Sequence, residues 1–383
     1  MAYIKQVSSY HFPTSIRFGE GAVKELGPYL KDNGITSPLL VTDPNVAQLD
    51  FFKQILKDLR NQGLKAEVFY DIHKNPVKSD VIKGGDAYEQ YKSDAIVGIG
   101  GGAGMDVARA IALRINHRQD LFLYDDLQGG DKYVTEPVPH FVTVPTTSGT
   151  GSEVGRSAII SEDDTGKKRI LFHPKLMAKK VFADPELTYS LPPAITAATG
   201  MDALTHNIEA LLAKGYHPLA DGIALEGIRL VFESIEAAVN NPTPEARANM
   251  MIASLMGATA FQKGLGIVHS LAHPLSTLLD THHGLANAVN LPYGMEFNIP
   301  GQEHKFELIA RFLGLEAKTG EAVVNALFEL NDKVGMPRKL SAIGVEEKHI
   351  EPLSHLALAD FCHPSNPRPV TLEDFRAIYQ KAL

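Results

Sequence analysis

The chain has 383 residues, of which 44% are hydrophobic and 21% charged, and a net charge of −8. That length supports two domains with cores of their own, without disulfides to staple them. Charges of both signs are mixed along the chain, which argues against nucleic-acid binding by bulk electrostatics, and no uninterrupted apolar run is long enough to span a bilayer, so no membrane partner is expected.

A single cysteine, Cys362, allows no internal disulfide, as expected in a reducing compartment such as the cytoplasm. Residues 1–6 show no charged start followed by a long apolar core, so they are not expected to be a signal peptide.

Over residues 1–190, short apolar β-rich runs alternate with helical patterns. A strand is predicted at 38–42, ending at Asp43. An amphipathic helix over 51–62 is stopped by Gly63. A strand at 66–70, a helix at 81–91 and a buried strand at 95–99 follow, and another strand at 140–144 is closed by Pro145. This alternation predicts an α/β domain with a parallel, helix-covered sheet. Asp43, at a strand end, suits a ribose 2′-OH as acceptor, but local sequence alone favours its reading as the start of the Asp43-Pro44-Asn45 turn.

Between the strand at 95–99 and a helix predicted from about Met105 lies Gly98-Ile99-Gly100-Gly101-Gly102-Ala103, a match to G-x-G-x-x-[G/A]. Glycines there let backbone approach a phosphate, and the helix N-terminus offers free N–H groups. A ligand-free tight turn is the plainer reading of the same residues. A second loop, Pro145-Thr146-Thr147-Ser148-Gly149-Thr150-Gly151-Ser152-Glu153, is rich in hydroxyls and glycine and reads as a cradle for a diphosphate or ribose.

After Leu191-Pro192-Pro193 the texture changes. Helical windows at 194–212, 217–239, 244–261 and 304–313 dominate, and strand signals nearly vanish. A second, all-helical domain is predicted over 191–383. Within it, Asp202 and His206 stand four residues apart on one helix face, among apolar neighbours. A buried carboxylate needs a partner, and either a metal or a plain Asp–His hydrogen bond supplies one. Then come His269, His273, His282 and His283, four histidines in fifteen residues. Such a cluster points to a divalent metal. Spacing pairs His269 with His273 and does not choose among the four.

Three motifs resemble the iron-containing (group III) alcohol dehydrogenases, a family that includes lactaldehyde reductase and 1,3-propanediol dehydrogenase. They are Gly100-Gly101-Gly102 with Asp106, the loop from Pro145 to Glu153, and Gly200-Met201-Asp202-Ala203-Leu204-Thr205-His206 with the histidine cluster. The resemblance is clearest from Pro38 to Phe297. It implies a Rossmann-like N-terminal domain and an all-α C-terminal domain, the dehydroquinate synthase-like fold. It implies Asp202, His206, His269 and His283 as metal ligands, overruling the pairing of His269 with His273. His273 then becomes the non-ligand histidine near nicotinamide and substrate, and His282 has no role. On the cofactor side it implies Asp43, which selects NAD over NADP. Gly101, Gly102, Ala103 and Asp106 belong to the diphosphate loop and Thr146, Thr147 and Thr150 to the second loop. Lys168, Leu187 and Asn75-Pro76 are further contacts. Several positions depart from the family: Ala103 replaces a serine, Gly104 a proline and Arg109 a lysine, Gly155-Arg156 stands where relatives often carry Thr, and Phe261-Gln262-Lys263-Gly264 differs from the substrate-side segment of lactaldehyde reductase.

One carboxylate and three imidazoles around a divalent ion would polarise an alcohol and lower its pKa. Four protein ligands close a tetrahedral zinc site, whereas Fe2+ takes further ligands. Iron is therefore expected, with zinc as the alternative. The expected reaction passes a hydride between NAD and a small primary alcohol or diol, or the matching aldehyde, in a homodimer or larger homo-oligomer. Arg156 and Lys263 raise a second substrate class, a hydroxy acid of the 4-hydroxybutyrate type, should either cation face the pocket. A dehydroquinate synthase-like lyase on the same scaffold is disfavoured, because the metal region is poor in Lys and Arg. A metal-only hydrolase leaves both glycine-rich loops unexplained.

Overall fold

The computed structural model describes residues 12–383, so the expectation for residues 1–6 lies outside the described residues. Two compact units are present. One comprises Pro13–Thr147 and Gly151–Ser190, and the other is built from Leu191–Leu383 with Ser148–Thr150.

The first unit contains strands β1 (Ser15–Phe18), β2 (Pro38–Val41), β3 (Glu67–Phe69), β4 (Ala95–Gly100), β5 (His140–Pro145), β6 (Ser157–Ser161), β7 (Lys168–Phe172) and β8 (Lys180–Ala183). Its helices are α1 (Leu26–Asp32), α2 (Asp50–Asn61), α3 (Lys78–Gln90) and α4 (Gly102–Asn116). Six strands form a parallel sheet in the order β1-β8-β5-β4-β2-β3, and β6 and β7 pair as an antiparallel ribbon. Side chains alternate between the faces. Leu39, Val41, Ile96 and Phe141 enter a core with Val81 of α3 and Val107 and Ile111 of α4. Leu40, Val97, Ile99, Val142 and Val144 enter the other, with Leu26 and Leu30 of α1 and Phe52 and Leu59 of α2. A sheet covered on both faces needs apolar residues at every position, which is why β2 and β4 read as unbroken apolar runs. Of the strands that sequence patterning did not single out, β1 is mostly exposed and β7 opens with Lys168-Arg169.

The order of connection decides where a ligand fits. From β2 the chain moves outward to β3, then returns to β4 on the other side of β2. In open parallel sheets such a reversal leaves a crevice at the carboxyl ends of the two flanking strands. Asp43 follows β2 there and Gly101 follows β4. Helix α4 begins at Gly102, three residues earlier than its pattern suggested. Gly104 sits within this first turn, where an added Cβ would lie 3.2 Å from the Ile99 carbonyl oxygen and 3.5 Å from the Thr42 Cα. Close packing rather than helix propensity sets this start.

The second unit contains α5 (Pro193–Leu212), α6 (Pro218–Asn240), α7 (Pro244–Ala260), α8 (Ile267–Leu279), α9 (His283–Asn298), α10 (Glu303–Phe312), α11 (Gly320–Lys333), α12 (Ile350–Leu358) and α13 (Leu372–Ala382). No strand occurs among its described residues. The four predicted helical windows match observed helices to within one residue at each end. Helix α5 is buried on every side from Thr196 to Leu212 and packs against α6, α7 and α9. A helix apolar all round belongs in a core, so polar residues on it need partners. No single helix among the described residues is long and apolar enough to cross a membrane. The 244–263 and 267–279 segments are long and apolar enough only when taken together, and they meet at 107°.

Candidate functional site

Three helices of the second unit converge on one carboxylate. Asp202 and His206 lie one turn apart on α5, His269 is in the first turn of α8, and His283 is the first residue of α9. Asp202 Oδ1 lies 3.9 Å from His206 Nε2, 3.9 Å from His269 Nε2 and 3.5 Å from His283 Nε2. The ligand atoms of Asp202, His269 and His283 all lie within 4.8 Å of one another. The rings of His206 and His269 stack with centroids 4.8 Å apart, and His269 and His283 meet at 5.4 Å. Asp202, His206 and His269 are buried. Burial pushes the Asp202 carboxyl up, but His206, His283 and His269 outweigh it and bring it down to about 2. Burial pushes the His269 ring well below its ordinary value, with His206 adding to the effect. A metal at this site would take the carboxylate ionised and the imidazoles neutral. The donor set, its burial and the convergence of the Nε2 edges all fit a divalent transition metal.

The outer nitrogens are also engaged. His206 Nδ1 lies 3.3 Å from the Gly149 carbonyl oxygen, and His269 Nδ1 lies 2.5 Å from Glu209 Oε2. Burial pushes Glu209 up to about 7, against backbone N–H bonds led by that of Val268. Asn287, one turn into α9, donates from Nδ2 to Asp202 Oδ1 at 2.6 Å. Glu209 and Asn287 were not among the predicted site residues. Both carried a signal, since Glu209 is three residues after His206 and Asn287 four after His283 on the same helices.

His273 stands one turn beyond His269 on α8, and its Nδ1 is 2.7 Å from Asp360 Oδ2. Its ring stacks on His283 at 5.3 Å. Asp360 also accepts from Ser270 Oγ at 2.6 Å and the Cys362 backbone N–H at 2.9 Å. Burial would raise Asp360, but His273 and these donors hold it below the ordinary carboxylate range. Nothing local in sequence marks Asp360, which reaches His273 from 87 residues away. His282 is exposed.

Lys263 is not free to read a substrate. Its side chain is 2% exposed, and Nζ donates to the Leu211 carbonyl at 3.0 Å and to Asp221 Oδ1 at 2.5 Å. Arg156 lies half-buried with its guanidinium 5.2 Å over the Phe172 ring. Glu153, near it in sequence, is instead buried beside Arg109, and burial pushes its carboxyl up to about 7.

In the first unit, the Asp43 Oδ1 accepts from the backbone N–H groups of Asn45 at 2.9 Å and Val46 at 3.0 Å. One oxygen therefore starts the turn. The other, Oδ2, lies 3.7 Å from where a Cβ on Gly100 would stand, beside the glycine loop. Gly100 has φ +147°, a conformation closed to most side chains, and a Cβ on Gly101 would lie 3.2 Å from Thr147 Oγ1. Gly101 is the N-cap of α4 and brings no side chain to cap it, so the first-turn N–H groups at Gly102 and Ala103 are left to other partners. Thr146 is buried and its N–H donates to the Gly100 carbonyl at 3.0 Å, tying the two loops together. Asp106 is engaged by protein. Its Oδ1 accepts from Ser152 Oγ at 2.6 Å and Arg109 at 3.1 Å, and its Oδ2 from the Ile159 N–H at 3.0 Å. It braces the second loop against α4. Lys168 opens β7 opposite Ser161, whose N–H donates to the Pro76 carbonyl at 2.8 Å, next to Asn75. Leu187 is buried in the core beneath the sheet. Thr150 belongs with Gly149 to the segment that groups with the helical unit.

Comparison with known proteins agrees with this architecture. Residues 13–185 match the model of the iron-containing alcohol dehydrogenases, and residues 196–383 match the C-terminal model of the Fe-containing alcohol dehydrogenase family. The chain is 38% identical to 4-hydroxybutyrate dehydrogenase of Cupriavidus necator, over 97% of this chain and 99% of that protein. It is 36% identical to NAD-dependent methanol dehydrogenase of Bacillus methanolicus, over 98% and 100%. Among solved structures, a 1,3-propanediol oxidoreductase superposes with a TM-score of 0.95 at 33% identity, covering 99% of this chain and all of that one. A sulfoacetaldehyde reductase from Bifidobacterium kashiwanohense in complex with NAD+ superposes at 0.88 with 27% identity, over 98% and 99%.

Proposed function

Because the chain belongs to the iron-containing alcohol dehydrogenase family, and is thereby an alcohol and aldehyde oxidoreductase, we propose that it is a cytoplasmic, Fe2+-dependent, NAD-preferring dehydrogenase of small primary alcohols or diols, working as a homodimer or larger homo-oligomer. The observation that carries the metal assignment is the convergence of three imidazole Nε2 edges on Asp202 Oδ1 within 3.9 Å.

Asp202, His206, His269 and His283 hold the metal. On the cofactor side, the backbone of Gly101, Gly102 and Ala103 takes the diphosphate, Thr146, Thr147 and Thr150 add donors, and Asn75, Pro76, Lys168 and Leu187 complete the contacts. Asp106 acts by bracing these loops. Asp43 offers Oδ2 to a ribose 2′-OH. When bound, the metal supplies Lewis-acid polarisation of the alcohol oxygen and NAD supplies the hydride acceptor. His273 keeps its proton on Nδ1, toward Asp360, so that Nε2 is an acceptor able to relay the alcohol proton. Iron is preferred to zinc because four protein ligands complete a tetrahedral zinc shell and leave iron open positions. A hydroxy acid is the second reading, favoured by the 38% identity to a 4-hydroxybutyrate dehydrogenase. The engagement of Lys263 by Asp221 favours the neutral alcohol.

The test is metal content and NAD-linked turnover after anaerobic reconstitution with Fe(II). His269→Ala and His283→Ala are expected to lose metal and nearly all turnover, and His273→Ala to keep metal and lose rate. Equal metal content in all three variants would overturn the ligand assignment.

A further inference from the structure

We propose that Glu209 is the positioning residue that makes His269 a metal ligand, by holding its proton on Nδ1 and leaving the Nε2 lone pair for the ion. The inference rests on the ligand reading given above. His269 has two ring nitrogens, and a neutral imidazole carries a proton on only one of them. Glu209 decides which. Its side chain is 1% exposed, with Oε1 2.6 Å from the Val268 backbone nitrogen and Oε2 2.5 Å from His269 Nδ1. Val268 N–H can only donate, which makes Oε1 an acceptor; with the Nε2 lone pair given to the ion the ring hydrogen sits on Nδ1, and Oε2 at 2.5 Å is placed to accept it. Nε2 is then the edge that faces Asp202.

The pocket is shaped for this carboxylate. Glu209 projects from α5, seven residues after Asp202, and reaches the start of α8. A Cβ on Gly266 would lie 2.9 Å from Glu209 Oε1 and 2.7 Å from Asn366 Oδ1, so only glycine admits both side chains at this helix start. Asn366 Oδ1 accepts from the Ile267 N–H at 3.2 Å, next to the bond from Val268 to Glu209. The two side chains therefore share the capping of α8, but only Glu209 touches a ligand ring. This difference separates a positioning role from a merely structural one. An amide in place of the carboxylate can accept on one atom only. In Glu209→Gln, either Val268 N–H or His269 Nδ1–H faces another donor, and the relief open to the ring is to move its proton to Nε2, where it blocks the metal.

The experiment titrates metal-free Glu209→Gln, Asn366→Ala, His269→Ala and wild type with Co2+ against a competing chelator, with circular dichroism to confirm folding. Glu209→Gln is expected to bind Co2+ roughly 10–100-fold more weakly, the usual effect of removing a carboxylate behind a ligand histidine. Asn366→Ala is expected to bind as wild type does. Wild-type affinity in Glu209→Gln, or equal weakening in Asn366→Ala, overturns the proposal while His269→Ala still loses the ion. Retention of Co2+ by His269→Ala overturns the ligand reading itself. Should Glu209→Gln not fold, Glu209→Asp replaces it. Its shorter side chain cannot reach both donors, and wild-type affinity in that folded variant overturns the proposal.

Discussion

Lys263→Met tests whether the buried cation near the metal helices serves the substrate or the fold. Lys263 and Lys305 both donate to the Leu211 carbonyl at the end of α5, and both face Asp221, at 2.5 Å and 4.0 Å. Removing one partner of a buried pair typically costs about 3–5 kcal/mol. Here Lys305 remains beside the same carboxylate and carbonyl, so the loss should shrink to the scale of one charge-assisted hydrogen bond, about 1.5–3 kcal/mol. Lys305→Met alone should be close to neutral. The double variant strips both cations from Asp221 and should exceed the sum of the singles.

The same cluster has a pH signature. Burial, and then Lys263, lower the Lys305 ammonium from 10.5 to about 8. Between those values the unfolded chain holds the proton and the folded one does not. This group therefore makes stability rise with pH from about 8 to 10.5, and its contribution is lowest below that window. Lys263→Met removes one cause, so the rise should shrink. Urea unfolding at about pH 7 and about pH 9.5, on either side of the folded-state value, reads both effects. The ratio of kcat/KM for butanol and 4-hydroxybutyrate should not change. A roughly tenfold change in that ratio, about 1.4 kcal/mol of discrimination, or additive stability losses, would refute the reasoning.

Two further outcomes are expected. Asp43→Asn keeps an oxygen for the Asn45 and Val46 N–H groups while removing the charge, so NADP use should rise relative to NAD with no loss of thermal stability, whereas Asp43→Gly also loses the turn and should melt lower; an unchanged NAD/NADP ratio in Asp43→Asn would show that Asp43 only starts the turn. Gly284→Ala drives a Cβ well inside contact distance of the Ala198 carbonyl oxygen, prising the first turn of α9 and His283 from α5. Unfolding by denaturant should show about 1–3 kcal/mol lost to overpacking, and a chelator titration should show weaker metal binding. A variant with wild-type values of both would mean that this approach does not position His283.

Much of the fold was legible because periodicity reports burial directly. The helices of the second half carry long apolar stripes, and their observed bounds match the windows 194–212, 217–239, 244–261 and 304–313 closely. The unbroken apolar runs at β2 and β4 marked a sheet covered on both faces. The glycine loop, Asp202 with His206, and the histidine cluster were visible as residue types that a packed core rarely tolerates without a purpose. Local sequence also offered two readings of Asp43, and the structure gives one carboxylate oxygen to the turn.

What sequence could not decide was long-range pairing. Spacing on one helix put His269 with His273, yet His273 Nδ1 goes to Asp360, and His269 Nδ1 to Glu209. Lys263 looked like a candidate for substrate until Asp221 and the end of α5 closed around it. In each case helical periodicity states which residues share a face, and it is silent on which other helix supplies the partner. A buried charge is satisfied by whatever group the packing of distant segments brings within hydrogen-bond distance, so its role is settled only when the chain has folded around it.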